Sequence, residues 1–405
     1  MFLYRVLISL FALVAAPGAL RDGKLRARLG LGPAVRGRHV WLHGASNGEL
    51  TAFKPVLLAL HAARPDLHWL ITSNSRTATA LVESWGLERV TARPAPFDLG
   101  WATRRIMRSW SVTALMSLES EIWPHRVLHC PGPVLQIAAR MKPGTARAWR
   151  RLPRLAKAVL RRVDWASAQD TASRDALLAL GLRPESAGPV IDLKAFYDPP
   201  DTTPDPVLRA AFPREDTWLA ASTHEGDEAF VLDAHSALRQ RAPGQKLVLA
   251  PRHPTRGAEI RAMIEARGLT VAQRSRDEPP EDCDVYLADT MGEMALWYQL
   301  CGRVFIAGTL SDRGGHTPYE PAAFGCALLH GPDDANFQPA FARLRDAAAS
   351  VEVHTPEALC DALHALGDAD AQTAGGNAAK TALAQDSDLN GLIEAIAQRL
   401  PDPDA

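Results

Sequence analysis

Short apolar segments alternate with longer amphipathic segments along most of this 405-residue chain. In the first half, the apolar segments that predict strands are residues 39–43, 69–72, 112–116 and 134–138. The intervening residues, such as 48–63, 77–85, 150–166 and 171–180, have the spacing of helices. Strands that alternate with helices indicate a parallel sheet covered on both faces. The first half therefore predicts a doubly wound α/β domain.

The same alternation begins again after a stretch without apolar periodicity. Residues 192–206 contain four prolines and several acidic residues, which is typical of a linker. Beyond it, the predicted strands are residues 218–222, 246–250, 269–272, 284–288 and 303–308. The predicted helices are residues 227–240 and 256–267, a helix that starts at Met291, a helix that follows Thr317, and a surface helix within residues 368–384. We therefore expect a domain at 36–195, a linker at 196–206 and a second domain at 207–400.

The N-terminal segment differs from this soluble pattern. Residues 2–20 are apolar apart from Arg5, and about 19 residues are just enough to cross a bilayer core. The cluster that follows is basic and predicts a cytoplasmic location for the rest of the chain: Arg21, Lys24, Arg26, Arg28, Arg36 and Arg38. We expect residues 1–22 to be a membrane anchor or an interfacial helix. A cleaved signal peptide is the alternative, and the positive charge after the apolar segment disfavours it.

Charge and cysteine content exclude some classes of function. A net charge of −1 gives no global signal for nucleic acid, so no nucleic-acid partner is expected. The five cysteines are scattered and lack CxxC spacing, which indicates a reducing compartment rather than a zinc or disulfide framework. These are Cys130, Cys283, Cys301, Cys326 and Cys360.

A Ser/Thr-x-x-Glu pattern, typical of a helix N-terminus, recurs after the predicted strands. It occurs at Ser46–Glu49, Ser222–Glu225, Thr290–Glu293 and Thr317–Glu320. Each predicts a helix that starts at the carboxyl end of a strand, where open parallel sheets bind ligands. Gly314 and Gly315 precede the last of these, and such a turn at a helix N-terminus suits a phosphate. A capped helix without any ligand has the same pattern.

Six short motifs occur in a fixed order and cover nearly the whole chain. They are His43-Gly-Ala-Ser-Asn-Gly-Glu49, Glu119-Ser-Glu-Ile-Trp-Pro124, Ala221-Ser-Thr-His-Glu225, Pro251-Arg-His-Pro254, Asp289-Thr-Met-Gly-Glu293 and Gly314-Gly-His-Thr-Pro-Tyr-Glu-Pro321. In this set the chain resembles the 3-deoxy-D-manno-octulosonic acid (Kdo) transferases. The resemblance implies a GT-B fold with two Rossmann-like domains facing a cleft. It also implies transfer of Kdo from CMP-Kdo to a lipid A precursor of the lipid IVA type, without metal or cofactor, at the cytoplasmic face of the inner membrane.

The resemblance also implies roles for individual residues. Glu49 matches the family's catalytic glutamate and would be the general base, although it also completes the capping pattern of Ser46. Arg252 would bind the phosphate of CMP through its forked guanidinium. The other residues implied for the donor are His253, Met291, Gly292, Glu293, Gly314, Gly315, His316, Thr317 and Glu320. Those implied for the acceptor or the sugar are Ser46, Gly48, Glu119, Glu121, Arg140 and Lys194.

The chain departs from the family pattern at three positions. The family usually has Asn at the positions of Thr317 and Ala138, and Leu at that of Tyr319. Thr317 retains the ability to cap a helix, whereas Ala138 leaves local acceptor or sugar contacts open. Two alternatives therefore remain: a GT-B enzyme that uses another nucleotide sugar (a UDP-sugar transferase or epimerase), and an inactive nucleotide-binding membrane protein. The number of sugars, the acceptor's acyl pattern, the oligomeric state and the membrane orientation are open.

Four histidines follow predicted strands and invite a metal hypothesis. They lack ligand spacing with carboxylates, so we expect no metal site and interpret them as hydrogen-bonding groups. These are His43, His224, His253 and His316.

Overall fold

The computed structural model of the chain describes residues 1–200, 203–384 and 388–402. It divides into unit 1, which is Met1–Phe196 with Asp386–Ala405, and unit 2, which is Tyr197–Gln385. Within the described residues, each unit contains one seven-stranded parallel sheet. Residues 201 and 202 of the predicted linker lie outside the described residues.

Unit 1 is a doubly wound sheet with the strand order β3-β2-β1-β4-β5-β6-β7. Its strands are β1 Arg38–His43, β2 Leu67–Ser73, β3 Val90–Pro94, β4 Val112–Leu118, β5 Val134–Ala139, β6 Trp165–Ala168 and β7 Ala187–Val190. Its helices up to residue 196 are α1 Phe2–Arg21, α2 Leu25–Arg28, α3 Asn47–Ala63, α4 Arg76–Ser84, α5 Gly100–Ser109, α6 Pro124–His129, α7 Pro143–Arg150, α8 Pro153–Arg161 and α9 Thr171–Leu180. The order reverses between the neighbouring strands β1 and β4, which is the switch point of the sheet.

Two helical layers cover the sheet of unit 1. Val40 and Leu42 of β1 face a core that includes α3 and α4. Trp41, between them, faces the opposite core, which includes α5 to α9. This alternation follows from the two-residue period of a strand. Burial on both faces explains why the strands are apolar throughout.

Unit 2 has the same design, with the strand order β10-β11-β9-β8-β12-β13-β14. Its strands are β8 Thr217–Thr223, β9 Lys246–Pro251, β10 Val271–Gln273, β11 Val285–Leu287, β12 Arg303–Ile306, β13 Ala327–His330 and β14 Ser350–Glu352. Its helices are α10 Pro206–Ala211, α11 Asp227–Arg241, α12 Gly257–Glu265, α13 Met294–Leu300, α14 Tyr319–Ala323, α15 Gln338–Asp346, α16 Pro356–Ala365 and α17 Ala369–Leu383. The switch point of this sheet lies between β8 and β12.

The last helix, α18 (Leu389–Ala397), packs in unit 1 although the predicted second domain extended to residue 400. Its Leu392 and Ile396 enter the core that α3 also lines. Apolar spacing identifies the face that a helix buries but does not identify the sheet that receives it.

Two predicted elements differ from the structure for local reasons. The helix predicted over 150–166 is interrupted, because α7 ends at Arg150 and Pro153 starts α8. The chain then enters β6 at Trp165. Ser222 does not cap a helix, since it lies in β8 with φ +60° and α11 begins only at Asp227.

Candidate active site

Glu49 lies in the first turn of α3, directly beyond the carboxyl end of β1. The Ser46 side chain caps this helix by accepting the Glu49 N–H at 3.3 Å. In return, the Glu49 carboxylate accepts the Ala45 N–H at 2.8 Å and the Ser46 hydroxyl at 3.0 Å. The capping box is therefore present as the sequence predicted. Gly48, also in this turn, is exposed and has space around its α-carbon.

The carboxyl group of Glu49 is nevertheless not an ordinary capping carboxylate. Burial raises its pKa, and the negative charges of Glu119 and Glu121 raise it further, whereas the hydrogen bonds from Ala45 and Ser46 oppose the shift. The result is a pKa of about 7 instead of 4.5. At neutral pH this carboxyl group exchanges protons readily, which capping alone does not require.

Glu121 has the opposite environment although it lies at the same edge of the sheet. Its Oε2 is 2.8 Å from His43 Nε2 and accepts the Trp123 indole N–H at 2.7 Å. Burial opposes ionisation, but the His43 and Trp123 hydrogen bonds and the Arg126 charge outweigh it and lower the pKa of Glu121 to about 2. Glu121 is thus a permanently charged, firmly held group.

Arg126 is a fully buried cation behind this network. Its guanidinium lies over the rings of Trp41 and Trp123, at 5.5 and 5.2 Å from their centroids. Nη2 donates to the Pro96 carbonyl at 2.8 Å, while Nε is 3.9 Å from the carboxylate of the buried Asp98. The sequence interpretation did not select Arg126, because a lone arginine in a short helix carries no motif signal.

The second acidic residue of the motif, Glu119, bonds to a lysine from a distant part of the chain. Lys194 donates to its Oε1 at 2.6 Å, across 75 positions of sequence. The Glu119 carbonyl accepts the Arg140 N–H at 3.2 Å, and φ at Glu119 is +45°, a conformation that is costly for a residue with a side chain. The structure therefore brings Glu49, Glu119, Glu121 and Lys194 to the β1/β4 switch point of unit 1.

A second cluster lies at the β8/β12 switch point of unit 2. His224 follows β8 and His316 follows β12, and their rings are parallel with 2.9 Å between the two Nε2 atoms. The Asp227 carboxylate accepts the N–H groups of His224 and Gly308, each at 2.9 Å, and so ties the two strand ends together. The sequence interpretation treated His224 only as a hydrogen-bonding group, whereas the structure places it at the centre of this cluster.

Arg252 supplies a positive charge beside these histidines. It follows β9, is exposed, and has a neighbour, His253, whose ring centroid is 5.8 Å from that of His224. Burial lowers the pKa of His316 to about 4, and the charges of His224 and Arg252 act in the same direction. His316 is therefore uncharged at neutral pH, and the cations beside the two histidines are Arg252 and Arg313, whose charges both lower the pKa of His224 after the effect of burial.

The glycine turn differs from the predicted phosphate cradle. Gly314 donates its N–H to Asp333 at 2.5 Å and Gly315 donates its N–H to the Gly308 carbonyl at 2.8 Å. Both have positive φ, and a Cβ at Gly315 would lie 2.8 Å from Thr309. Intramolecular packing therefore requires both glycines, and their N–H groups are already donated.

The predicted helix after this turn is also shorter and starts later. It begins at Tyr319 and has five residues, and Thr317 contributes only a 3.3 Å hydrogen bond from the Tyr319 N–H. The first-turn residue Glu320 contributes, after burial, to raising the pKa of Tyr298. The prediction of a capped helix N-terminus at Thr317 is wrong, since Pro318 is the residue that precedes the helix.

The Met291–Glu293 motif is anchored separately from the histidines. Glu293 accepts from Thr290 and forms an ion pair of 2.8 Å with Arg274, and α13 begins only at Met294. Gly292 has φ +89°, and Met291 is 63% exposed, unusually high for methionine. Within the described residues, no group of three or more His, Cys, Asp or Glu is arranged to hold a metal ion.

The comparisons with known proteins agree with this architecture. Residues 23–196 match the family model described as 3-deoxy-D-manno-octulosonic-acid transferase (kdotransferase). The 3-deoxy-D-manno-octulosonic acid transferase of Haemophilus influenzae is 29% identical over 81% of this chain and 78% of its own length. The enzyme of the same description from Bordetella pertussis is 29% identical over 84% of this chain and 80% of its own. The solved structure of a putative UDP-N-acetylglucosamine 2-epimerase from Listeria monocytogenes superposes with a TM-score of 0.61. The match covers 89% of this chain and 96% of the epimerase chain. The sequence identity is 11%, so this similarity concerns the fold alone.

Two Rossmann-like units, each with polar residues gathered at the switch point of its sheet, correspond to the GT-B fold. Relatives of one description extend over most of the chain. The chain is therefore similar to 3-deoxy-D-manno-octulosonic acid (Kdo) transferases, through the family domain matched at residues 23–196 and through relatives of 29% identity over most of its length.

Proposed function

We propose that this chain transfers Kdo from CMP-Kdo to a lipid A precursor of the lipid IVA type, at the cytoplasmic face of the inner membrane, with Glu49 as general base. The observation that carries the proposal is the pKa of about 7 at Glu49, set by burial and by Glu119 and Glu121. General bases work best when their pKa is near the working pH. Glu121, with a pKa of about 2 and several donors, is poorly suited to take a proton.

The reaction then proceeds by attack of an acceptor hydroxyl on the anomeric carbon of Kdo. As the new C–O bond forms, the hydroxyl proton passes to Glu49. The bond between the anomeric carbon and the phosphate oxygen breaks, and CMP leaves with that electron pair. Charge accumulates on the departing phosphate, so a cation placed there lowers the barrier. Within the proposal, no step passes through a metal ion.

The proposed donor site is the cluster at the end of β8, β9 and β12. Arg252 is exposed. Burial lowers the pKa of both His224 and His316; Arg313 lowers that of His224 further, and the Arg252 guanidinium acts on both in the same direction. An arginine fork can donate two parallel hydrogen bonds to one phosphate. His253 and an uncharged His316 would hydrogen-bond the nucleotide or the sugar carboxylate, and Thr317, Gly292 and Glu293 remain proposed donor contacts. Ser46, Gly48, Arg140 and Lys194 remain proposed acceptor contacts.

The test is product formation by the full-length chain from CMP-Kdo and a lipid A precursor, followed by mass spectrometry of the lipid. We expect Glu49→Gln to lose about 10²- to 10⁴-fold in turnover, the usual contribution of general base catalysis. Glu357→Gln is the matched control, since Glu357 is an exposed glutamate in the first turn of α16. Turnover of Glu49→Gln equal to that of the control would contradict the assignment of the base.

The identity of the nucleotide is tested separately by calorimetric binding of CMP and UDP to the wild-type chain. We expect CMP to bind more tightly and Arg252→Ala to weaken it. Tighter binding of UDP would favour the alternative GT-B reaction. CMP binding without any lipid product would favour an inactive nucleotide-binding protein.

A further inference from the structure

The two units have opposite net charges, which the overall charge of −1 conceals. Residues 1–196 and 386–405, which make up unit 1, contain 29 Lys and Arg against 18 Asp and Glu, whereas residues 197–385 of unit 2 contain 16 against 28. Within the positive unit, residues 122–163 contain ten Lys and Arg and no acidic residue. Such an asymmetry indicates an anionic partner for unit 1.

The basic residues are concentrated on one side of the sheet of unit 1. Helices α5, α7 and α8 all contribute to the core that contains Trp41, and Tyr4 of α1 packs against the same core. The exposed basic side chains of these helices form what we call the basic face: Arg104, Arg105, Arg108, Arg147, Arg150, Arg154, Lys157 and Arg161. On α5, Trp101 is also 49% exposed, and tryptophan favours the boundary between lipid and water.

Helix α1 is the one described helix whose length and composition would let it cross a bilayer. Its contacts with unit 1 occur near its beginning and in its middle. The Tyr4 hydroxyl donates to the buried Asp98 at 2.7 Å. Ile8 and Ala12 are buried, and the ring of Phe11 meets that of Phe97 edge-on with centroids 6.1 Å apart.

The segment after α1 is fixed to the same part of unit 1. The Arg28 guanidinium donates to the Ala95 carbonyl at 2.8 Å, and the Arg28 backbone carbonyl accepts the Phe97 N–H at 2.8 Å. Tyr4 and Arg21 are about 25 Å apart along the helix axis, nearly the thickness of a bilayer core. A spanning α1 would place Tyr4 on the far side of the membrane from Asp98, so the observed contact is incompatible with a span.

We propose that α1 lies in the plane of the membrane surface and that the basic face, with the exposed side of α1, binds an anionic phospholipid bilayer. The helix is apolar all round because one side packs on unit 1 and the other enters lipid, where Phe2 and Val14, 83% and 82% exposed, would insert. The basic side chains of the helices that cover the same side of the sheet complement lipid phosphates. The inference rests on the membrane association in the proposed function, and it is independent of the donor and of Glu49.

The orientation is tested by the depth of spin labels on the full-length chain in vesicles of phosphatidylethanolamine and phosphatidylglycerol. Leu3, Leu7, Leu10 and Val14, each replaced singly by Cys, follow one another at helical spacing and are all exposed. An in-plane helix places all four labels at one shallow depth, about 5–10 Å below the headgroups. A spanning helix places Leu10→Cys near the midplane and roughly 10 Å deeper than Leu3→Cys, and that gradient would overturn the proposal.

The native cysteines provide the background control. All five are buried, so the wild-type chain is expected to take up no label under the same conditions. Transfer activity of each labelled protein is measured in parallel. Because label depth does not depend on turnover, a failed depth test leaves the proposed reaction intact, and an inactive protein with the expected depths leaves the orientation intact.

The basic face is tested by cosedimentation with phosphatidylcholine vesicles that contain or lack phosphatidylglycerol. We expect the triple variant Arg147→Gln, Arg150→Gln and Arg154→Gln to lose roughly fivefold in affinity per removed charge, on the anionic vesicles only. The matched control is the triple variant Arg209→Gln, Arg276→Gln and Lys380→Gln, at three exposed basic residues of unit 2. Unchanged binding of the triple variant, or an equal loss in the control, would overturn the assignment of this face.

Discussion

Replacing Glu49 with glutamine is expected to change stability in a direction that separates a catalytic base from a capping residue. In the folded chain the pKa of Glu49 is raised from 4.5 to about 7, first by burial and then by the charge of Glu119. A raised pKa means that the fold disfavours the ionised carboxylate. An ordinary capping glutamate at a helix N-terminus has the opposite property, because the helix dipole favours its negative charge.

The magnitude follows from the difference between the folded and unfolded states. Each unit of pKa corresponds to about 1.4 kcal/mol, so ionised Glu49 costs the fold about 3 kcal/mol. The folded state holds the proton more tightly, so wild-type stability falls as pH rises from about 4.5 to about 7 and the full cost is present above pH 7. Glutamine carries no charge and avoids this cost. It loses one of the two accepted hydrogen bonds, about 1 kcal/mol at every pH.

The assay is urea unfolding of wild type and Glu49→Gln at about pH 4.5 and pH 8, together with the pH dependence of transfer. We expect the stability of the variant relative to wild type to increase by about 3 kcal/mol between the two pH values. We also expect the acidic limb of kcat/KM in the wild type to lie near pH 7. Glu357→Gln, in an exposed first turn, is the control and should show no such increase.

A Glu49→Gln variant whose loss of stability relative to wild type is larger at pH 8 than at pH 4.5 would refute the raised pKa of Glu49. That result would mean that the ionised carboxylate stabilises the helix start, as a cap does. Loss of activity in the variant would then reflect a damaged α3 rather than a missing base.

The other predictions concern both units. Glu119→Gln removes a charge that raises the pKa of Glu49, so the acidic limb of kcat/KM should move to lower pH; an unmoved limb contradicts this coupling. Arg252→Ala should lower kcat/KM for the donor, measured by steady-state kinetics, by about 10- to 100-fold, because hydrogen bonds to a charged group contribute that much. A wild-type-like kcat/KM in this variant would exclude a contact between Arg252 and the phosphate. Ala138, at φ +47°, is in a conformation that favours glycine, so Ala138→Gly should stabilise by roughly 0.5–1 kcal/mol in thermal unfolding. Ala114→Gly in β4 is its control and should destabilise, and equal effects would contradict a conformational cause.

The backbone at Ala138 explains why the Kdo transferases usually have Asn at this position. The side chain is buried, the backbone N–H donates to the Ser167 hydroxyl at 2.9 Å rather than to a ligand, and the backbone is left-handed. Asparagine tolerates that conformation better than alanine does. Alanine in place of asparagine therefore increases the backbone strain at this position, whereas the sequence interpretation connected the difference with acceptor or sugar contacts.

The sequence by itself determined the alternation of strands and helices, because burial of parallel strands on both faces requires continuous apolar segments. It also predicted the resemblance to the Kdo transferases, through short motifs in a fixed order along the chain. The capping box of Ser46 and Glu49 was readable because its hydrogen bonds are local.

Only the tertiary structure decided the relations between distant residues. The sequence contains no signal that Lys194 reaches Glu119, that α18 returns to the first sheet, or that Tyr4 is hydrogen-bonded to Asp98. The pKa of Glu49 likewise depends on burial and on charges about 70 positions away. The start of a helix can be predicted from neighbouring residues, because its hydrogen bonds are local. Desolvation and the interaction of charges, which set the pKa of Glu49, arise only after the sheet has brought distant segments together.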